Sequence, residues 1–584
     1  MKVLKQSINV VKSFLVNNYI KYSYLYGIIV CFILSEAIIN PIGEFSLNDD
    51  WAYSKTVINY LNNGDIEAPA WGGATFLTQL IWAVIFCKIF GFSFTILRLS
   101  SIILSLIGII FFYKLISNYL QSKRLVSLST IILCFNPIYF QQSNTFQTDI
   151  PYTTLSIICF YYFSLFYVRN NISNYIIAIV FSIFSILLKQ TGISLGLTFA
   201  LSYLVFRRIN IKNLFIAFIP FFIQLSILLG YGIVKTKIDN LPGDAYDFLI
   251  PLFFDSIFYP NFDIIKKFGY YSLNTSLSLG LFIFPFVFPT ALLIIKKIKL
   301  SNIHLLILCF VICLYSILII IKIILRGQYL PFSGNIVYDL GLGPIIMTGI
   351  EQNQIPGLTG IGIYAWFALS LIGAVGFLSL LYFIVICIKE NFHGHDINNE
   401  FPVILGVFSF IYSILYILPF LFVYSNIRFL IPTLPYLIIL SISTMLILEK
   451  RFYSITNFNY GLSQIFFFPI ILFSICATHD YLLFHRTKMD AIKFLTENQK
   501  IPIEKIDGGF EFNEWNFSHL YTWKMSNDPQ KFGRFWPVID DEYIVTVTEI
   551  DGYDLYKVFK YIKWLPPGEF NINVLKRSKI IKCL

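Results

Sequence analysis

Long apolar runs recur from residue 24 to residue 478, with only short polar breaks between them. A helix needs about 20 mostly apolar residues to cross a bilayer. Only 13% of the residues are charged, about half of the roughly 25% typical of soluble domains. The sequence therefore predicts an all-α polytopic membrane protein with about thirteen transmembrane helices. The predicted spans are 24–41, 95–116, 125–141, 150–168, 174–188, 191–206, 213–234, 277–295, 303–325, 363–388, 402–424, 429–448 and 462–478.

The apolar run at 75–91 is ambiguous because it is short and contains Lys88. If it lies on the membrane or dips into it without crossing, most basic loops fall on the side of the N-terminus. The positive-inside rule then places the N-terminus in the cytoplasm of a cell (inner or plasma) membrane. These loops also explain the net charge of +10, so we expect membrane lipids as partners and no nucleic acid.

This orientation places the polar segments outside the cytoplasm, beginning with "FSLNDDWAY" at 45–53. Asp49 and Asp50 are adjacent there, and Tyr53 lies on a predicted amphipathic helix in the interface. Helix capping by aspartate explains one acid. A pair of like charges is typical of a cation or proton site, and we favour that functional interpretation.

Further charged residues are predicted on the same side, at the ends of helices. Asp149 begins a helix in "TFQTDIPY", where capping is the alternative to a functional role. Lys189 and Arg428 either extend toward lipid headgroups or bind a phosphate. A weaker group of candidates lies in the Gly-rich loop 326–343, namely Arg326, Tyr329 and Asn335.

The last part of the chain, 479–584, is more polar and predicts a small α/β domain outside the cytoplasm. The domains are then 1–478, with the outer loop 42–94 that carries the acidic pair, and 479–584. The segment "GGFEFNEWNF" at 508–517 combines aromatic and acidic residues that suit stacking on sugar rings. We favour packing in an ordinary core for these aromatic side chains.

Three segments together resemble a known family. They are "NDDWAY", with a tyrosine four residues after Asp49, the run "FGFSFTILRLSSIILSLIGIIFFYKL", and "TFQTDIPY". In their order and spacing, over roughly 24–200, they resemble the polyprenyl-phosphate-dependent glycosyltransferases of the GT-C superfamily, family 39. That family includes protein O-mannosyltransferases and the lipid A aminoarabinose transferase. The resemblance implies a GT-C fold.

The resemblance also implies a mechanism. A sugar would move with inversion from a polyprenyl-phosphate donor to a lipid, glycan or protein acceptor. Asp49, the first acid of the pair with Asp50, would be the base or orient the acceptor hydroxyl. Asp149 would help to hold the acceptor, or a divalent cation (Mg or Mn) together with Asp49; no cofactor is certain. Lys189 and Arg428 would stabilise the departing phosphate, with Arg326 as a weaker candidate, while Tyr53, Tyr329 and Asn335 would contact the acceptor.

The segment "APAWGGATFLTQ" at 68–79 departs from the family pattern, since several relatives have a Lys-Pro-Pro-like element before this run. A phosphate contact from that loop is therefore not expected here.

Two other functions stay open. One is a transporter or lipid-linked glycan flippase, although the middles of the predicted spans contain almost no charge and no pair of broken helices repeats. The other is a non-catalytic relative that only binds lipid-linked sugar.

Overall fold

A computed structural model describes residues 22–120, 122–238, 240–243, 249–295, 363–391, 401–452, 460–520 and 536–578, with short helical stretches between 306 and 318. The candidates Arg326, Tyr329 and Asn335 and most of the span predicted at 303–325 lie outside the described residues.

The described chain is mainly helical. In chain order its helices are α1 (Tyr22–Ile39), α2 (Asp50–Asn63), α3 (Leu77–Phe90), α4 (Phe94–Ser117), α5 (Lys123–Cys134), α6 (Pro137–Ser143), α7 (Asp149–Arg169), α8 (Ile172–Ile186), α9 (Ile193–Phe206), α10 (Ile211–Lys235), α11 (Leu249–Phe258), α12 (Phe262–Ile295), α13 (Ile363–Asn391), α14 (Phe401–Phe422), α15 (Leu434–Phe452), α16 (Tyr460–Lys493) and α17 (Phe510–Phe517). Short 3-10 turns at Gln190–Gly192 and Ile427–Thr433 precede α9 and α15.

Within the described ranges, nine helices are long and apolar enough to cross a membrane. They are α1, α4, α7, α10, α12, α13, α14, α15 with its preceding turn, and α16. Four apolar helices are shorter, namely α3, α8, α9 with its preceding turn, and α11. The predicted fold class, a polytopic helical membrane part followed by a small C-terminal α/β domain, is confirmed.

Two predicted segments differ in length from a full span. The run at 125–141 is broken into α5 and α6, because the Asn136 side chain caps the second helix and Pro137 occupies its first turn. Helix α3 has 14 residues, which at about 1.5 Å per residue reach roughly 21 Å, short of a hydrocarbon core of about 30 Å. The backbone N–H of Phe76, just before α3, donates to the Leu188 carbonyl at 2.9 Å, which fixes the start of α3 beside the end of α8.

The C-terminal domain contains a four-stranded sheet in the order β1 (Ile506–Asp507), β2 (Tyr543–Thr546), β4 (Pro567–Arg577) and β3 (Tyr553–Trp564). Strands β1 and β2 are parallel, and the other neighbours are antiparallel. Helix α16 runs without a break from Tyr460 to Lys493 and packs its last turns on this sheet. One helix thus connects the membrane part to the domain.

Side chains on α16 fix the domain in place. The Asp480 carboxylate accepts hydrogen bonds from the backbone N–H groups of Trp564 and Leu565 at 2.8–3.1 Å. The His479 ring stacks on the Trp564 ring, with centroids 3.5 Å apart. These contacts hold the β3–β4 turn against the helix.

Two arginines hold the loop that leads to the acidic pair. Arg98 on α4 donates to the carbonyl oxygens of Pro41 and Phe45, the latter at 3.0 Å. Arg486 on α16 donates to the carbonyl oxygen of Asn40 at 2.7 Å. Carbonyl groups bound by charged donors from both sides make a rigid support for Asp49 and Asp50.

We expect the two ends of α7 to lie on opposite sides of the membrane. Asp65, beyond α2, belongs to the end with Asp149, and Asn171 follows the other end; both residues are exposed. In intact cells an impermeant maleimide should label Asp65→Cys but label Asn171→Cys only after permeabilisation. The parent chain serves as background, and the reverse pattern would contradict the predicted orientation.

Candidate functional site

Four charged side chains from distant parts of the sequence meet in one row. Arg428 Nη1 lies 2.6 Å from Asp49 Oδ2, and Arg428 Nε lies 4.0 Å from Asp149 Oδ2. Lys189 Nζ lies 2.7 Å from Asp149 Oδ1. The order Asp49, Arg428, Asp149, Lys189 alternates in sign, so each interior charge has an opposite charge on both sides.

The row is buried at one end and open at the other. The side chains of Lys189 and Asp149 are 4% and 2% exposed, whereas those of Arg428 and Asp49 are 15% and 16% exposed. A ligand can therefore reach Asp49 and Arg428, while Asp149 and Lys189 support them from the protein interior.

Asp49 occupies the N-cap position of α2, but its side chain makes no capping hydrogen bond. Its Oδ1 instead accepts from the Trp71 indole N–H at 2.8 Å, and its Oδ2 faces Arg428. The Asp49 side chain therefore does not cap α2, which was the alternative to a functional role. Since a carboxylate oxygen has two lone pairs, Asp49 keeps acceptor capacity for a further partner.

Asp149 is the first residue of α7, after the N-cap residue Thr148, and so takes no capping role. The helix N-terminus and two cations surround its carboxylate, which stabilises the negative charge. Lys189 ends the α8 region, just before the 3-10 turn, and its ammonium also lies 5.2 Å from the ring centre of Phe429. Lys189 thus binds Asp149 in the interior and does not extend toward lipid.

The second acid of the pair faces away from the row. Asp50 Oδ1 accepts from the Leu47 N–H at 2.6 Å, and Oδ2 accepts from the Phe146 N–H at 3.3 Å. Burial raises the pKa of the Asp50 carboxyl to about 7, although the Arg98 charge and both backbone donors act in the opposite direction. The two acids therefore do not form one cation or proton site. Asp50 ties the loop before α2 to the segment before α7.

The structure places the remaining described candidate, Tyr53, inside a packed cluster. Its ring lies against Phe76, with centroids 4.8 Å apart, and the residue is 7% exposed. This position suits packing of α2 against the start of α3. The proposed contact of Tyr53 with an acceptor stays a prediction.

Sequence reasoning missed Trp71 and Gln147 as members of the site. The Gln147 side-chain oxygen accepts from Arg428 Nη1, the nitrogen that also faces Asp49, at 2.7 Å and gives the guanidinium a third partner. Trp71 lies in "APAWGG", the segment that departs from the family pattern. That departure could have indicated a different site residue in this loop. Gln147 lies two residues before Asp149, in a segment already singled out.

The carboxylates of the row do not fit a divalent cation. Asp49 and Asp149 share Arg428, and Lys189 adds a second positive charge beside them. A divalent ion there would be repelled by both cations. Among the described residues, no group of three or more His, Cys, Asp or Glu side chains is arranged to hold a metal.

Comparisons with known proteins give one sequence match. Residues 77–231, a little over a quarter of the chain, match the sequence model of the family described as dolichyl-phosphate-mannose-protein mannosyltransferase. No curated protein sequence matches the chain. The resemblance to these glycosyltransferases is thus confirmed over this part of the chain.

Solved structures give distant likenesses. One is the archaeal oligosaccharyltransferase AglB from Archaeoglobus fulgidus, in complex with an inhibitory peptide and a dolichol-phosphate (16% identity, TM-score 0.43, 86% of this chain and 60% of that chain). Another is ArnT from Cupriavidus metallidurans, in the apo state (13%, 0.39, 94% and 98%) and bound to undecaprenyl phosphate (12%, 0.41, 96% and 99%). The chain thus spans 60% of the AglB chain. TM-scores below 0.5 establish neither a shared fold nor a shared activity.

We expect Lys189→Met to destabilise the protein, because Asp149 would keep a buried charge with one partner fewer. Breaking a buried pair costs about 3–5 kcal/mol, whereas replacing both partners with apolar residues is often neutral. The melting temperature in detergent should therefore fall in Lys189→Met and recover in Lys189→Met/Asp149→Leu. A double variant no more stable than the single one would contradict this account of the pair.

The raised pKa of Asp50 predicts a pH-dependent stability. The folded protein holds the proton up to about pH 7, while the unfolded chain releases it near 3.8. The contribution of Asp50 to the free energy of unfolding is therefore greatest below pH 4. It falls by up to roughly 4 kcal/mol as the pH rises to 7.

Asp50→Asn has no proton to lose, so the melting temperature of the wild type should fall relative to that of Asp50→Asn between pH 5 and pH 8. Asp65→Asn, at an exposed acid, is the matched control and should show no such trend. A constant difference between wild type and Asp50→Asn across this range would contradict the assignment.

Proposed function

We propose that the chain is a membrane glycosyltransferase that moves a sugar from a polyprenyl-phosphate donor to an acceptor hydroxyl on the outer face of the membrane. The observation that carries the proposal is the contact between Asp49 and Arg428 at the open end of the row. It places an acceptor of protons beside a cation that can bind a phosphate. The match of residues 77–231 to the mannosyltransferase family supports the same class of donor.

In the proposed reaction, Asp49 acts as the general base. Its carboxylate takes the proton of the acceptor hydroxyl while the hydroxyl oxygen forms a bond to the anomeric carbon of the sugar. The bond between the anomeric carbon and the phosphate oxygen breaks, and its electron pair remains on the phosphate. Attack opposite the leaving group inverts the anomeric configuration, and the proton ends on Asp49.

Arg428 is the proposed ligand of the departing phosphate. A guanidinium has five N–H donors, so it can retain Asp49 and Gln147 and still bind phosphate oxygens. The negative charge on the phosphate grows as the bond breaks, and a fixed cation next to it lowers the barrier. The predicted phosphate contact of Lys189 would be indirect in this arrangement, because its ammonium binds Asp149.

Asp149 and Gln147 are proposed as positioning residues. Asp149 lies 4.0 Å from Arg428 Nε, and the Gln147 side-chain oxygen accepts from Arg428 Nη1 at 2.7 Å. A donor whose lipid chain stays in the membrane must be met at the membrane surface. The site lies where α7 begins and where the turn before α15 begins, at the ends of membrane helices.

The test is transfer of labelled sugar from a panel of polyprenyl-phosphate sugars into a membrane extract. Asp49→Asn should retain the donor and lose transfer by about 100-fold or more, the lower end of what a general base contributes. Asp65→Asn, at an exposed acid beyond α2, should transfer at the wild-type rate.

Wild-type transfer by Asp49→Asn would refute the role of Asp49. No transfer from any donor by the wild type, together with movement of lipid-linked sugar across the bilayer of proteoliposomes, would favour the flippase instead. Retention of donor without transfer or movement would favour a non-catalytic binding protein.

A further inference from the structure

A cavity of about 240 Å³ lies between the C-terminal domain and the membrane part. Its walls come from the loop at 44–46, the start of α4, the last turns of α16, and α17. Side chains that line it include Phe94, His485, Lys488, Glu511, Trp515 and Asn516. The last three belong to the aromatic and acidic segment at 508–517, whose function the row of charges does not explain.

Each charged side chain that lines the cavity already has a partner within the protein. Lys488 Nζ lies 2.9 Å from Glu511 Oε2, and both side chains are less than a tenth exposed. The Glu44 carboxylate binds the N-terminus of α4, where it accepts hydrogen bonds from the Phe94 N–H at 3.0 Å and the Thr95 hydroxyl at 2.7 Å. Among the described residues that line the cavity, the one cation, Lys488, is paired with Glu511, so the walls favour a neutral ligand over a phosphate or another anion.

His485 supplies a polar group that the protein does not use. The residue is 5% exposed, and its ring stacks on Phe45 with centroids 6.0 Å apart. Among the described residues, neither imidazole nitrogen has a hydrogen-bond partner. Because His485 lines the cavity, its imidazole can form a hydrogen bond with a ligand hydroxyl there.

The opposite wall combines an aromatic surface with an amide. Trp515 is half-buried; Phe94 packs edge-on against it with centroids 5.0 Å apart, and the Phe92 ring stacks on it with centroids 6.4 Å apart. The Asn516 side-chain nitrogen donates to the Phe512 carbonyl at 2.8 Å, and its side-chain oxygen remains an acceptor for a ligand. Aromatic faces beside neutral donors and acceptors suit the C–H face and hydroxyl groups of a sugar ring.

We propose that this cavity binds one neutral sugar ring of the acceptor, so that the acceptor is a saccharide or carries one. The proposal rests on the proposed function above and specifies its acceptor class. The volume is below the about 300–1,000 Å³ of sites for larger ligands, which suits a single ring. Phe45 and Ser46 line the cavity, and Asp49 follows three residues after Ser46. Helix α17, which lines the cavity, also contacts Trp71 through Phe510, and Trp71 donates to the proposed base Asp49.

The test measures binding separately from transfer. The full chain in nanodiscs is titrated with a panel of methyl glycosides of neutral hexoses, and ligand binding is read by saturation-transfer NMR. Trp515→Leu and His485→Ala should each weaken binding by about tenfold, the loss expected for one aromatic or hydrogen-bonding contact. Asp49→Asn should bind the glycoside as the wild type does.

His519→Ala is the matched control, since this histidine is exposed and just beyond α17. It should bind the glycoside normally. Binding in the wild type that both Trp515→Leu and His485→Ala retain would overturn the proposal, as would binding of none of the neutral glycosides by the wild type. Loss of binding in a variant counts only if its melting temperature matches that of the wild type. Asn516→Ala, at a third residue that lines the cavity, should also weaken binding.

The glycoside experiment also separates the two proposals. If the wild type binds glycosides but transfers no sugar, the cavity stands and the transferase fails. If it transfers sugar but binds no glycoside, the transferase stands and the saccharide acceptor fails.

Discussion

The site depends on the ionic contacts that the Arg428 guanidinium makes with Asp49 and Asp149. The guanidinium contacts Asp49, at the start of α2, and reaches Asp149, at the start of α7, so it joins segments that are far apart in sequence. Its cost of desolvation is met by two carboxylates and the Gln147 amide oxygen. Lys189 completes the row by neutralising the side of Asp149 that Arg428 does not cover.

The C-terminal domain contributes to the same arrangement through aromatic packing. Phe510 at the start of α17 lies edge-on to Trp71, with ring centroids 5.7 Å apart, and Trp71 donates to Asp49. Lys55 on α2 donates to the Trp515 carbonyl at 3.0 Å, which holds α17 over α2. The domain therefore supports the proposed base from outside the membrane while α17 also lines the cavity. A single short helix links the base to the proposed acceptor subsite.

The sequence alone predicted the membrane class, the small C-terminal domain and the charged residues that meet in the row. These features follow from local patterns, namely apolar runs, a change in composition, and charges at helix ends. It did not predict that Asp49 and Asp50 face different ways, because neighbouring side chains separate according to tertiary partners that spacing does not encode. Asn136 and Pro137 are typical helix-start residues and indicated a break between α5 and α6. The apolar run around them led instead to the prediction of one continuous span. Trp71 and Gln147 lacked a charge and so were passed over, although each fixes a charged neighbour.

The most direct measurement is the binding of a polyprenyl phosphate without a sugar to the protein, by native mass spectrometry in the wild type, in Arg428→Met and in Arg169→Met. Arg169 is an exposed arginine at the far end of α7, so its variant controls for loss of charge alone. The account predicts that Arg428→Met loses the lipid phosphate while the wild type and Arg169→Met retain it. Equal retention by all three would show that the phosphate is bound elsewhere and would contradict the role given to the row.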